Sequence, residues 1–300
     1  GRAREFLLDL IRYRQVTKYL STFVEGMKSH VYENNILHPK FSQTNVVTGR
    51  LSCSDPNFQN IPRGDKLPIK RVIQSRFDGG FIIEMDFAQL EFRAAAFQSQ
   101  DEQAIYDITH GVDIHQNTAD VLGCSRQDAK AHTFKPLYGG FSGTAEEKTY
   151  YAWFKKRYKG IVAWQTRTED TAIATKLITL PSGRQYYFEN IMRDVKGGSN
   201  YFTQVRNYPV QGFATGDIVP VACIDVYNAL KHLKTRLINT VHDSVIIDAH
   251  PEEVTNVLEL LTKTCGNIVE SINKRYNINF NVPLDFEIKM GSNWLDLKQI

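Results

Sequence analysis

Cysteine is sparse in this chain, and the four present, Cys53, Cys124, Cys223 and Cys265, are scattered without any C-x-x-C spacing. That excludes a cysteine-built zinc site and a disulfide framework, and it suits a reducing compartment. Long apolar runs are also lacking. No stretch reads as membrane-spanning and the N-terminus has no apolar core of a signal peptide, so the expectation is a cytoplasmic protein without a membrane partner. Charge of one sign is missing as well: 36 Lys and Arg against 33 Asp and Glu give a formal +3, which permits a polyanionic partner without demanding one. There is no internal repeat and no low-complexity tract.

What remains is an ordinary globular composition, 42% hydrophobic and 23% charged over 300 residues, sufficient for a large core. Cations cluster locally at Arg63, Lys66, Lys70, Arg71 and Arg76, and "FKKRYKG" at 154–160 mixes them with aromatic rings. Taken alone, either cluster reads as a solvated face.

Apolar positions at helical spacing over 3–25 predict an amphipathic helix that needs a partner surface. Prolines and glycines make 31–80 irregular. "GGFIIEMDFAQLEFRAAAF" then changes period, predicting a strand at 81–86 and a helix from about 89. Residues 101–178 are helical in pattern, broken at Gly111, Gly123 and around Pro136 to Gly143, and "LPSGRQYYF" at 180–188 reads as a turn into a strand. Helices follow at 211–235 and 252–276, and "NINFNVPLDFEIKMG" returns to strands. The order implies an α+β core interrupted by a helical module.

"TVHDSVIID" at 240–248 crowds the three residue types of a hydrolytic triad together. Its β-branched flanks predict a strand, on which His242 and Ser244 share one face about 7 Å apart and Asp243 points to the other. Such a trio cannot converge on one proton, and no G-x-S-x-G elbow surrounds Ser244. A carboxylate at a strand start remains, and Asp86, ending the 81–86 strand, is its counterpart. Two strand-end aspartates suffice for a divalent-metal site, because Mg²⁺ takes one or two carboxylates with substrate phosphates and water. Two ions roughly 4 Å apart then clamp the attacking and leaving oxygens of phosphoryl transfer. "RQDAKAHTFKPLYGG" adds Arg126, Lys130 and Phe134 at i, i+4 and i+8, a drift of about 40° per step, so two cations and a ring share one helix face. That face can hold a triphosphate and stack a nucleoside.

Three segments, "DFAQLEFR" (86–93), "RQDAKAHTFKPLYG" (126–139) and "VHDS" (241–244), resemble in order and spacing motifs A, B and C of the family A DNA polymerases, the bacterial DNA polymerase I family. "TGRLSCSDPNFQNIP" (48–62) resembles the template-primer motif, and "DIH" (113–115), "NYPVQG" (207–212) and "GSNW" (291–294) match as well. The resemblance covers nearly the whole chain and implies a right-hand polymerase fold with an antiparallel palm sheet and helical fingers. It implies a thumb remnant at 1–30, palm at 31–98 and 207–300, and fingers at 99–206. The implied metal ligands are Asp86 and Asp243, holding two Mg²⁺ ions with Mn²⁺ as a substitute, and Lys130 joins them in the catalytic set. Arg126 and Lys130 become triphosphate contacts, Phe134 the ring against the incoming sugar, Glu91 the gate filling the 2′-hydroxyl space, and Tyr138 the end of the mobile fingers helix. Gln89 and His115 fall near the nucleotide; Arg50, Asn57, Gln59, Asn60, Gln211 and His242 line the primer-template. The implied partners are primer-template DNA and deoxynucleoside triphosphates.

The chain departs from the family in places. Ser244 stands where a glutamate is usual, and His-Asp-Ser is similar to single-subunit phage-type RNA polymerases. Glu91 and the 48–62 motif favour DNA synthesis, because a carboxylate in the 2′-hydroxyl space hinders ribonucleotides. Glu84, two residues before Asp86 on the same strand face, leaves two readings open: an unrelated salt bridge, or an assisting carboxylate that restores the one lost at Ser244. Pro136 cannot donate to the carbonyl of His132, so the helix should kink or tighten there. Only one helix precedes the 48–62 motif, as in a phage-like variant with thumb and exonuclease supplied by separate chains, or a fragment that binds DNA but cannot extend a primer unaided.

Overall fold

The computed structural model describes residues 2–62, 68–140, 142–195 and 197–300, so Arg63 and Lys66 of the basic cluster lie outside the described residues. The N-terminal helix runs as α1 (Arg2–Tyr19), a π-helical stretch (Leu20–Glu25) and α2 (Gly26–Lys28). No α1 residue is buried, and Phe6, Leu7, Ile11, Tyr13 and Val16 are all exposed, as expected for an amphipathic helix without its partner surface. The irregular region holds a short antiparallel pair, β1 (Lys40–Ser42) and β2 (Ser52–Ser54).

The 81–86 strand forms as β3 (Phe81–Phe87), and α3 (Leu90–Ser99) follows a left-handed Gln89 at φ 55°. Side-chain caps then start α4 (Glu102–Thr109) at Asp101, α5 (Ile114–Leu122) at Asp113, α6 (Arg126–Thr133) at Ser125 and α7 (Ala145–Arg157) at Thr144, each accepting from a backbone N–H of the first turn. Helix α8 (Lys159–Thr175) completes this layer. Gly111 and Gly123, both at φ +65°, make the expected breaks. Pro136 acts as its chemistry requires: α6 stops at Thr133 and a 3-10 turn takes over at Lys135–Tyr138. "LPSGRQYYF" is a complete hairpin rather than a turn into one strand, because Leu177–Thr179 (β4) pairs with Gln185–Tyr187 (β5) across it.

The helix expected at 211–235 starts earlier and ends sooner. α9 (Phe202–Gln211), a π segment (Gly212–Ile218) and α10 (Val219–Leu230) form one continuous helix. Pro209 and Gly212 are absorbed, the π segment giving the extra residue per turn that a proline-disturbed ladder accommodates. This 29-residue run is long and apolar enough to cross a membrane, with mean hydropathy 1.2, a length the sequence reading did not see. Its most apolar window is 61% buried, as in a core helix.

The single strand expected at 240–248 is a correction of greater weight. The segment is a hairpin, β6 (Arg236–Val241) and β7 (Ser244–Ala249), with His242 and Asp243 as its two-residue loop. The sharing of one strand face by His242 and Ser244 therefore does not hold. After α11 (Val254–Tyr276) come β8 (Phe286–Gly291) and β9 (Lys298–Gln299). The five-stranded sheet has the order β6-β7-β3-β8-β9 with every pair antiparallel.

The alternation of β3 gives the sheet two faces. Ile83 and Met85 pack with Val226 and Leu230 of α10 and Val257 and Leu261 of α11. On the opposite face Ile82 meets Met27, Phe58, Ile61, Ile246 and Trp294, while Glu84 and Asp86 continue that face toward the hairpin loop. The site is thus a polar end on an otherwise buried strand.

Candidate active site

Strand β3 carries Asp86 directly opposite Ser244 of β7, and the Phe87 N–H donates to the Asp243 carbonyl at 3.1 Å. The two aspartates are therefore diagonal neighbours at one end of the sheet, neither fully buried. The loop is closed by Val241 pairing with Ser244, and His242 takes a left-handed φ of 56°, unusual for a non-glycine residue. Carboxylate oxygens are the hard donors that suit Mg²⁺. Among the described residues no group of three or more His, Cys, Asp or Glu is arranged to hold a metal. Asp86 and Asp243 offer carboxylate oxygens at one sheet end, the donor type an ion takes when phosphate and water are its remaining ligands.

Ser244 is buried, and its hydroxyl donates to the Val241 carbonyl at 3.0 Å. It clips the hairpin, so its oxygen is neither an exposed nucleophile nor a stand-in for a carboxylate. Glu84, on the same strand face, has one oxygen engaged by protein: its Oε2 accepts the Trp294 indole N–H at 2.8 Å, and the Lys70 ammonium lies 4.0 Å above that ring. The carboxylate that register places beside Asp86 is Glu287 of β8, with Lys289 opposite Glu84. Glu287 and Lys289 pair at 2.9 Å, and the lysine is held above its ordinary range by that bond and by the charges of Asp86 and Glu84. The sequence reading missed both residues. Their two-residue spacing in "FEIKMG" was the available signal, and only strand register gives it meaning.

On α6, Arg126 and Lys130 are exposed, and the Arg126 Nε donates to Asp113 at 2.7 Å. His115 lies beneath them. Its pKa is lowered by burial first and then by the charges of Arg126 and Lys130. Thr133 gives its proton to the Ala129 carbonyl, so His115 Nδ1, 3.0 Å away, must be the donor to the Thr133 oxygen. Phe134 terminates α6 instead of extending its face, yet it stays with the cluster: its ring stacks on Phe92 at 5.8 Å and meets His115 edge-on at 5.2 Å. Phe92 follows Glu91 on α3, so the ring that ends α6 packs one residue along the chain from Glu91. Tyr138 ends the 3-10 turn before Gly139 at φ 80°, and Gln89, also left-handed, lies between Asp86 and Glu91.

Glu91 does not stand alone. Arg50 Nη2 donates to its Oε1 at 2.6 Å, while Arg50 Nε donates to Thr215 Oγ1 at 2.6 Å and Thr215 passes its own proton to the Gln211 carbonyl. Burial pushes the Glu91 carboxyl up, against the pull of Arg50. Segment 48–50 is itself pinned: the Tyr186 hydroxyl donates to the Thr48 carbonyl, and a Cβ on Gly216 would stand 2.6 Å from that same carbonyl oxygen. Backbone on both sides cannot yield cheaply. Gly216→Ala should therefore lower stability by about 1–3 kcal/mol and loosen Arg50, as urea melts of the two proteins would measure.

Of the residues expected along a primer-template, Gln59, Asn60 and His242 line one cavity of about 280 Å³ with Lys70 and Trp294. Asn57 caps the turn that presents them, accepting from the Gln59 and Asn60 N–H groups, and Gln59 Nε2 donates to the Thr240 carbonyl of β6. Gln211 stands apart from this cavity, at the end of α9 beside Thr215.

The geometry has counterparts among known proteins. The sequence model of "DNA polymerase family A" matches residues 2–296. The chain is 31% identical to DNA polymerase I of Caldicellulosiruptor bescii over 96% of its own length and 36% of that protein. It is 32% identical to DNA polymerase I of Bacillus subtilis (96% and 34%) and 28% identical to the thermostable DNA polymerase I of Thermus aquaticus (99% and 37%). It thus spans about a third of the length of these curated relatives. Among solved structures it superposes on the POL domain of Pol1 from M. smegmatis, in complex with DNA primer-template and dNTP. That match has a TM-score of 0.80 at 26% identity and covers 97% of this chain and 54% of the other. With the match running almost end to end through the hairpin, the capped helices and the 48–62 segment, the chain belongs to DNA polymerase family A.

Proposed function

We propose that this chain adds deoxynucleotides to the 3′ end of a primer under the direction of a template. The observation that carries the reading is the placement of Asp86 and Asp243 as diagonal neighbours at one sheet end, tied by the Phe87 N–H to Asp243 carbonyl bond. Asp86 and Asp243 would hold Mg²⁺, or Mn²⁺ in its place, which when bound supplies Lewis-acid stabilisation of charge on the phosphates. The chain's residues do the rest. Arg126 and Lys130 draw the triphosphate onto α6, Phe134 lies against the sugar, and His115 braces that ring from beneath. The primer 3′-hydroxyl gives up its proton to solvent water, its oxygen bonds to the α-phosphorus as the bond to the bridging oxygen breaks, and pyrophosphate leaves with its charge facing Lys130. Gln59, Asn60 and His242 contact the primer-template beside the loop.

In this reading residues 31–98 and 207–300 form the palm, 99–206 the fingers, and the exposed α1 an element of the thumb. An RNA polymerase reading is disfavoured by Glu91, a carboxylate with its side chain 22% exposed in the region where a ribose hydroxyl would enter. The test is extension of a labelled primer by the purified chain with Mg²⁺, offered dNTPs or NTPs. Deoxynucleotide addition that stops on chelation is the expected result. Binding of primer-template without extension would make the chain a DNA-binding module, and preference for NTPs would make it an RNA polymerase.

A further inference from the structure

We propose that Arg50 is the positioning residue of the sugar gate, holding the Glu91 carboxylate in the orientation that excludes a ribose 2′-hydroxyl. The inference rests on the polymerase reading and extends it to how nucleotide choice is set. A glutamate has three side-chain torsions, and fixing them costs on the order of 1–2 kcal/mol of conformational entropy. A gate must resist displacement by the group it excludes, so the carboxylate needs a rigid partner. Arg50 supplies one across 41 residues of chain, with a 2.6 Å charge-assisted bond from Nη2.

The guanidinium is fixed by a second bond. Its Nε donates to Thr215 at 2.6 Å, Thr215 donates to the Gln211 carbonyl, and both belong to the helix that carries the π segment. Thr48, two residues before Arg50, is pinned by Tyr186 and by the close approach of Gly216. Planarity matters here: one rigid fork addresses Thr215 and Glu91 at once, which a lysine ammonium on a flexible stem cannot reproduce.

The test is single-turnover addition of dATP and of ATP opposite template thymine, with primer-template affinity measured in parallel. The proteins compared are the unaltered chain, Arg50→Ala, Arg50→Lys, Glu91→Ala and the double variant. Arg50→Ala and Arg50→Lys should each raise relative ATP use about tenfold, the equivalent of one charge-assisted hydrogen bond. In the Glu91→Ala background the loss of Arg50 should change the ratio no further, because the residue acts through the carboxylate. Arg50 variants that keep the original ratio, or effects of Arg50 and Glu91 that simply multiply, would overturn the inference while leaving the polymerase reading intact. A chain that prefers neither nucleotide would bring down both. Weaker DNA binding with an unchanged ratio would leave Arg50 as a primer contact and overturn the gate role.

Discussion

Asp243→Ala or Asp86→Ala should lower the single-turnover rate of nucleotide addition by about a thousandfold or more, several kcal/mol of lost charge stabilisation. Primer-template affinity should change by no more than about twofold, since the side chains proposed to hold DNA sit on the 57–60 turn and at His242 rather than on the two carboxylates. Fluorescence anisotropy for DNA and rapid quench for chemistry would separate the two quantities. Ser244→Ala is the informative control. Its hydroxyl donates to the Val241 carbonyl inside the hairpin, so its loss should cost about 1 kcal/mol of stability and little rate. A rate loss in Ser244→Ala to match that of Asp243→Ala would restore the serine as a reacting group. Extension surviving in either aspartate variant would remove the site from this end of the sheet.

Lys130→Ala should lower the rate of addition by about a hundredfold, with DNA affinity almost unaffected, because its contact strengthens as charge develops on the phosphates. Arg126→Ala should cost less. Arg126 already shares its guanidinium with Asp113 at 2.7 Å, so part of its charge is answered before any nucleotide arrives. A fall in DNA affinity with an unchanged rate in Lys130→Ala would make α6 a basic surface and not a nucleotide site.

The parts of the fold legible in the sequence were those written in local chemistry. Gly111 and Gly123, expected as breaks within 101–178, take left-handed φ of +65° between helices. The apolar run to Asp86 and the break at Pro136 follow from side-chain period and a missing N–H. The 240–248 hairpin was illegible because its loop lacks the Asn-Gly or Gly-x pair that marks a two-residue turn; the left-handed position is taken by His242. The start of the 202–230 helix was hidden by Pro209 and Gly212, breakers by composition that a π segment accommodates. In the candidate site, the residues that a motif names were open to expectation from the sequence. Glu287, Lys289 and the Thr215 anchor of Arg50 were not, because each meets its partner only through strand register or helix docking.

The indole of Trp294 donates to Glu84, two residues from Asp86, with Lys70 over its ring. An excited indole shifts charge across its rings, so its emission reports the field of the carboxylate and ammonium groups around it. The other two tryptophans, Trp153 and Trp164, lie in the helical layer on α7 and α8. The protein thus carries its own optical probe of charge at the polar end of β3, readable without a label and before any bond is made.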